Sequence, residues 1–127
     1  MPVVDYAGLP DFPMRKGIVG KWISGHEHGA SAVSMLSNTV EPDVSVPRHY
    51  HGYEEVVLVE QGRIWVDLGD TRLWAEPGRC VIIPPGTPHA WGTEGPGMAR
   101  ILFVWPVLDP FAPGKSTYLE GQPPAVR

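Results

Sequence analysis

The chain has 127 residues and a net charge of −4, and its 43% hydrophobic and 19% charged residues are typical of one globular domain. It has no cluster of lysines and arginines and no apolar stretch of the roughly 18 residues that a membrane span needs, which argues against nucleic-acid and membrane partners. Its 15 glycines and 15 prolines are scattered between short apolar runs, which favours strands joined by tight turns over helices.

Taken in chain order, the sequence predicts one barrel between two irregular segments. Residues 1–20 are rich in proline and glycine and predict an N-terminal arm with room for one short strand near residues 17–21. Residues 21–110 carry apolar runs at spacings of about 8–12 residues with turn sequences between them, as in all-β sandwiches and barrels. Residues 111–127 predict a Pro-rich C-terminal tail. The predicted strands are residues 32–36, 55–59, 63–68, 71–75, 80–83, 89–91 and 99–105.

The single cysteine, Cys80, excludes an internal disulfide and fits a reducing compartment. The first residues show neither the basic start nor the apolar run of a signal peptide, so we expect a cytoplasmic protein. Cys80 lies in an apolar run with no catalytic base near it, and we interpret it as a packing residue.

Histidines in two separate segments are candidate metal ligands. His49 and His51 are two residues apart, and side chains on a strand alternate faces, so both imidazoles point the same way. Glu55 shares that face if the extended register continues, and His89 follows a rigid Pro-rich turn that can aim it at the same point. Three imidazoles and one carboxylate suit a divalent Fe, Mn, Ni, Co, Cu or Zn ion. The histidine pair alone is a weak signal, because surface and core histidines are commoner than ligands.

The two segments together resemble the two sequence motifs of the cupin family. Residues 49–55 followed by Gly62 resemble the first motif, and Gly78 followed by residues 84–89 resembles the second, in the family's order and spacing. Asp43 stands where the first motif has glycine, but aspartate also adopts turn conformations. The departure touches no candidate ligand.

This resemblance implies an all-β fold, a double-stranded β-helix or jelly-roll barrel with little helix. It implies that one divalent metal ion is bound by four residues: His49, His51, Glu55 and His89. It also implies three turn glycines: Gly62, Gly78 and Gly86. Four protein ligands leave open positions on a metal that prefers six, and open positions separate a reactive site from a structural one.

Several side chains near the motifs are candidates for contacting a substrate. Tyr50, Tyr53, Trp91, Phe103 and Trp105 are the aromatic candidates, although for Phe103 and Trp105 a role in the core is the favoured interpretation. Arg100 lies on an otherwise apolar strand and is the first choice among the arginines for a carboxylate clamp, but a surface salt bridge is the favoured role for any one of them. Two further arginines, Arg48 and Arg63, are weaker candidates. So is a second histidine pair, His26 and His28, which we expect to be exposed to solvent.

The resemblance leaves three classes of function open. The leading one is a metalloenzyme for a small organic molecule, in which Glu55 has a second role as general base. Dioxygenase-type chemistry is slightly favoured over a non-redox isomerase, cyclase or lyase of the polyketide or sugar-acid type. A non-enzymatic ligand-binding module comes next, and a structural site as in storage cupins comes last. Small cupins of this kind commonly form homodimers, with an N-terminal strand packed on the partner's sheet.

Overall fold

A computed structural model of the chain describes residues 3–124, and their regular structure is almost entirely β-strand. Two short 3-10 helices, Tyr6–Gly8 and His26–His28, interrupt the strands. Within residues 3–124, no helix is long and apolar enough to cross a membrane. The strands are β1 (Phe12–Arg15), β2 (Ile18–Ser24), β3 (Ser34–Val40), β4 (Ser45–His51), β5 (Glu55–Gln61), β6 (Ile64–Leu68), β7 (Thr71–Ala75), β8 (Cys80–Ile83), β9 (His89–Thr93), β10 (Ala99–Trp105) and β11 (Ser116–Tyr118).

The strands form two antiparallel sheets, which confirms the predicted all-β jelly-roll barrel. One sheet has six strands in the order β1-β2-β3-β10-β5-β8, and the other has five in the order β11-β4-β9-β6-β7. Burial alternates along the strands as expected for a sheet with one face turned to the core. On β10, for example, Ile101, Phe103 and Trp105 are buried, while the residues between them are less so.

The core lies between the two sheets and is built from their inward side chains. Leu36, Ile64 and Ile101 are fully buried, and Val57 and Val66 are nearly so. Branched aliphatic side chains pack well on pleated surfaces, which explains why the segments rich in Val and Ile form the central strands.

Both end segments are more ordered than the sequence predicts. The segment 1–20 contains all of β1 and the start of β2, and β1 extends the six-stranded sheet by pairing with β2. Proline is tolerated in β1 because this strand lies at the sheet edge. In the segment 111–127, β11 pairs with β4 so that Tyr118 lies opposite His49. Residues 1–2 of the predicted arm and 125–127 of the predicted tail lie outside the described residues.

The predicted turn glycines have left-handed backbone conformations. The φ angles of Gly62, Gly78 and Gly86 are 81°, 93° and 74°. A side chain at Gly62 is also excluded sterically, because a Cβ there would lie 2.6 Å from the carbonyl oxygen of Met98. Asp43, at the position where the motif has glycine, has a φ of 59°. These turns set the strand registers that place the histidines.

The interpretation of Cys80 as a packing residue is wrong. Cys80 is exposed and does not pack in the core. On β8, exposed and buried residues alternate, so Cys80 and Ile82 face outward while Val81 and Ile83 face the core. An apolar run therefore does not fix the direction of each side chain in a short edge strand.

Candidate metal centre

Strands from both sheets bring the predicted ligands together, since β4 and β9 are neighbours in the five-stranded sheet and β5 belongs to the six-stranded sheet. His49 and His51 lie on the inward face of β4, His89 begins β9, and His49 and His89 are paired in register. One ring nitrogen from each of His49, His51 and His89 lies within 4.8 Å of the other two. All three imidazoles are buried, so the histidine cluster is part of the interior and not of the surface.

The backbone orients each imidazole in the same way. Each Nδ1 lies at hydrogen-bond distance from a carbonyl two residues away: Pro47 for His49 (2.8 Å), Tyr53 for His51 (2.9 Å) and Thr87 for His89 (2.8 Å). A carbonyl oxygen only accepts hydrogen bonds, so Nδ1 carries the proton and donates it. In the neutral imidazole, Nε2 then presents a lone pair, and this is the usual arrangement of metal-binding histidines.

Glu55 supplies the carboxylate of the cluster from the first position of β5. Its Oε1 accepts a 2.7 Å hydrogen bond from the indole N–H of Trp105 and lies 3.1 Å from Nε2 of His51. Its Oε2 lies 3.9 Å from Nε2 of His89. Burial raises the pKa of Glu55, but the hydrogen bonds and charges of the neighbouring histidines and of Trp105 outweigh it, so the pKa is lowered. The carboxylate is therefore ionised at neutral pH, as a metal ligand must be.

The histidine pKa values respond to burial and to this carboxylate. Burial is the main cause that lowers the pKa of His49 to about 4, and burial also lowers the pKa of His89. Burial acts in the same direction on His51, but its hydrogen bond to Glu55 and the charge of Glu55 raise the pKa overall. His49 and His89 are thus neutral at neutral pH, while a cation bound by His51 takes the place of its Nε2 proton.

One orphaned atom shows that the residues fit a metal ion. Nε2 of His89 is fully buried and has no hydrogen-bond partner among the described residues. A buried polar atom without a partner is unfavourable by about 1–3 kcal/mol and is rare in folded proteins. Coordination of a divalent ion would satisfy this lone pair, and three imidazoles with one carboxylate form a donor set for such an ion.

The histidine cluster opens into a small cavity with aromatic walls. Four of the five aromatic candidates line it, Tyr53, Trp91, Phe103 and Trp105, whereas Tyr50 does not. The cavity volume is about 40 Å³. The ring of Tyr53 stacks on that of His51, with 4.4 Å between their centroids. Phe103 and Trp105, read as core from sequence, are buried and line the cavity as well.

Arg100 forms the surface ion pair favoured from the sequence and not the carboxylate clamp that was its alternative. Arg100 is exposed on the outer face of β10, where its Nε lies 3.6 Å from Glu60. The strand alternates strictly, and Ile101 and Phe103 occupy the inward positions. The arginine that lines the cavity is Arg15, which falls in the segment predicted to be irregular. Its place follows from β1, which sequence analysis did not predict.

The weaker candidates lie away from the cluster. Arg48 donates a 3.3 Å hydrogen bond to the carbonyl of Gly69, and the guanidinium of Arg63 lies over the ring of Trp74. His26 is exposed as expected, and His28 is half-buried at the end of a 3-10 helix. None of these four side chains lines the cavity at the histidine cluster.

Comparisons with known proteins agree with this fold. The chain is 29% identical over 126 residues to the polyketide synthase protein CurC of Streptomyces cyaneus, covering 98% of this chain and 80% of that one. The polyketide cyclase RemF of Streptomyces resistomycificus has a similar structure, with a TM-score of 0.79, 23% identity and coverage of 96% and 87% of the two chains. A cupin-superfamily sugar phosphate isomerase of Silicibacter pomeroyi is also similar, with a TM-score of 0.76, 21% identity and coverage of 94% of this chain and 83% of that one. At these identities the structural likenesses show the fold alone.

The cupin domain family matches residues 38–105, which is more than half of the chain and contains all four predicted ligands. The predicted family is therefore confirmed: this chain belongs to the cupin domain family.

Proposed function

We propose that the protein is an enzyme that binds one divalent metal ion and closes a ring in a small polyketide-type molecule without oxidising it. The observation that carries this proposal is the buried cluster of His49, His51, His89 and Glu55 at a cavity with aromatic walls. The resemblance to the polyketide protein CurC over nearly the whole chain supports the choice of substrate.

The cluster can support ring closure between carbonyl groups. When bound, a divalent ion supplies a Lewis acid that polarises a ketone oxygen and favours its enolate. The aromatic walls can pack against one flat, conjugated group of the substrate and exclude water from it, while the rest of a larger substrate would extend past Phe111 into the groove that this ring also lines. In the reaction one substrate carbon loses a proton and attacks a ketone carbon of the same chain, and the new alkoxide takes up a proton. No electrons leave the substrate, so no oxidant is needed.

We assign Glu55 the role of ligand. Its Oε1 is engaged by Trp105, and its pKa is lowered, which makes the carboxylate a weak base. The second role as general base, expected from sequence, would require Glu55 to leave the cluster and to break the 2.7 Å hydrogen bond to Trp105.

The comparisons favour ring closure over the dioxygenase chemistry that the sequence slightly favours. CurC and RemF are polyketide proteins, and the Silicibacter pomeroyi relative is an isomerase. Cyclisation and isomerisation are both non-redox reactions. We therefore propose a cyclase first and keep dioxygenase chemistry as the alternative that the same assay detects.

The experiment uses protein loaded with Zn²⁺, Ni²⁺ or Mn²⁺ and short synthetic β-polyketones. We expect a product with the mass of the substrate, or of the substrate less one water, at equal rates with and without oxygen. Turnover that requires oxygen and adds its atoms to the product would replace the cyclase with a dioxygenase. If no metal supports any turnover while the substrate still binds, the protein is a ligand-binding module.

We also propose that the protein is a cytoplasmic homodimer. The outer face of the six-stranded sheet exposes apolar side chains, with Leu58 37% and Ile82 57% accessible, and Val56 lies between Val104 and Ile82 in register. Contiguous apolar faces mark protein interfaces. The N-terminal strand expected on the partner's sheet is paired with β2 of its own chain, so this outer face is the better candidate. Light scattering tests it, since a mass near the 13.9 kDa of one chain would reject the dimer.

A further inference from the structure

A second charged side chain, Arg15, lines the cavity at the histidine cluster. Its Nη2 atom is fully buried and has no hydrogen-bond partner among residues 3–124. Within residues 3–124, no carboxylate lies within 4.0 Å of its guanidinium. The positive charge of Arg15 is therefore turned into the cavity without a compensating acidic side chain from the described part of the protein.

A strand irregularity places Arg15 there. The register of β1 on β2 shifts between Pro13 and Arg15, so that Arg15 pairs with Ile18. In a regular strand, consecutive side chains point to opposite faces, but a bulge redirects one of them. As a result Met14 and Arg15, although adjacent in sequence, both line the cavity.

Tyr118 connects Arg15 to the histidine cluster. Its ring stacks on His49 with 4.6 Å between the centroids. Tyr118 and Arg15 both line the cavity at the histidine cluster. A neutral phenol does not balance the charge of an arginine, so one donor of the guanidinium remains for a ligand.

The other polar atoms of the cavity also point to a polar ligand. Oδ1 of Asn38, which lines the same cavity, is buried without a hydrogen-bond partner in the described chain. Glu55 contributes one negative charge, whereas a bound divalent ion and Arg15 together would contribute a larger positive charge, so the site would carry a net positive charge. An enclosed site with excess positive charge attracts anions, and a guanidinium matches the two oxygens of a carboxylate.

We propose that Arg15 binds a carboxylate of the substrate, and that the substrate of this cavity is therefore a carboxylic acid. The proposal rests on the proposed function in one respect, since it takes the cavity beside the histidine cluster to be the substrate site. A carboxylate held by Arg15 stands beside Tyr118 and so close to the imidazole of His49, which leaves the remainder of the acid to reach the metal position.

The test compares acetate with acetamide, which have nearly the same shape but differ in charge and are small enough for this cavity. Binding to the Zn²⁺-loaded and to the metal-free protein is followed by the NMR shifts of the tryptophan indole N–H groups. We expect acetate to bind about 10-fold more tightly than acetamide, since a charge-assisted hydrogen bond contributes about 1.5–3 kcal/mol. Arg15→Met should abolish this preference in the metal-free protein and reduce it in the Zn²⁺-loaded protein, where the ion also attracts acetate, and Arg15→Lys should retain part of it. Arg100→Met removes an equal charge from the outer face and should change nothing.

Two results would overturn the proposal. One is a metal-free Arg15→Met protein that keeps the acetate preference, and the other is a metal-free parent protein that has none. If acetate binds only to the Zn²⁺ form and ignores the substitution, the metal alone holds the carboxylate. Arg15→Gln serves as a second variant if Arg15→Met fails to fold. The binding test measures no turnover, so it is independent of the test for ring closure. A protein that prefers acetate but closes no ring rejects only the proposed cyclase. A protein that closes a ring but has no acetate preference rejects only the proposed role of Arg15.

Discussion

The indole N–H of Trp105 donates a 2.7 Å hydrogen bond to Oε1 of Glu55, the carboxylate of the histidine cluster. Trp105 is the last residue of β10 and Glu55 is the first residue of β5, and these two strands are neighbours in the six-stranded sheet. Both side chains are buried, at 4% and 3% exposure, so water does not compete for the bond. The bond engages Oε1 and leaves Oε2 as the atom nearer to His89.

We therefore expect Trp105→Phe to weaken metal binding by about 10-fold to 100-fold, as is usual when a hydrogen bond that orients a ligand is lost. The phenyl ring keeps most of the apolar contact but leaves the carboxylate free to rotate. Metal affinity is measured by competition with a chelator. Trp91→Phe is the matched control, because Trp91 lines the same cavity but makes no hydrogen bond to a candidate ligand. Equal losses in the two variants would show that only the packing of the indole matters.

His51→Ala should abolish stoichiometric metal binding while the barrel persists. The substitution removes one of three clustered ring nitrogens and the partner of Glu55 at 3.1 Å. In the parent protein, added Zn²⁺ should raise the unfolding temperature, because a ligand that binds only the folded state stabilises it. His26→Ala, at an exposed position, is the control and should behave as the parent does. Metal content by mass spectrometry of the purified proteins gives the answer, and full occupancy in His51→Ala would reject the assigned ligand set.

The sequence predicts the histidine cluster well because its members lie in two short segments with fixed local geometry. His49 and His51 share a face by strand alternation, and a turn of prolines and a glycine delivers His89. Arg15 and Trp105 depend instead on long-range packing. Trp105 meets Glu55 only because β10 pairs with β5, and Arg15 enters the cavity only because β1 bulges against β2. Local periodicity reveals neither which strands are neighbours nor where a strand has a bulge, and so the sequence does not identify Arg15 as a residue of the cavity.

The stability of the metal-free protein should fall as the pH is lowered below about 6.5. The pKa of His49 is about 4 in the folded protein, against 6.5 without burial, and burial lowers the pKa of His89 as well. Between the two pKa values the unfolded chain binds more protons than the folded protein. The free energy of unfolding that these histidines contribute above the unfolded pKa is therefore lost as the pH falls to the folded pKa. His51 has a raised pKa and opposes this trend, since its contribution is present at low pH and is lost as the pH rises.

Urea unfolding in the presence of a chelator at pH 7, 6 and 5 measures this dependence. Between pH 7 and 5, where few carboxylates titrate, the free energy of unfolding should decrease less in His49→Ala than in the parent. His26→Ala, whose imidazole is exposed, should follow the parent. Parallel decreases in the parent and in His49→Ala would show that the buried imidazole is not the cause.

Phe111 separates the cavity at the histidine cluster from a larger groove, and its removal should enlarge the range of ligands. The cavity measures about 40 Å³ and the groove about 640 Å³, and Phe111 lines both. Its ring packs edge-on against Trp22 and Trp105, at 6.0 Å and 5.5 Å between centroids. A flat aromatic acid larger than acetate needs more room than this cavity offers, and a displaced Phe111 ring would join the cavity to the groove.

Phe111→Ala should therefore bind 2-naphthoate about 10-fold more tightly than the parent, with acetate binding unchanged, because no wall needs to move. A stability loss of about 1–3 kcal/mol is expected for truncation of a half-buried ring. Phe12→Ala is the matched control, since Phe12 is also half-buried and stacks on Trp22 but lines neither space. Equal gains in both variants would attribute the effect to looser packing around Trp22. No gain in Phe111→Ala would mean that the groove does not lead to the histidine cluster.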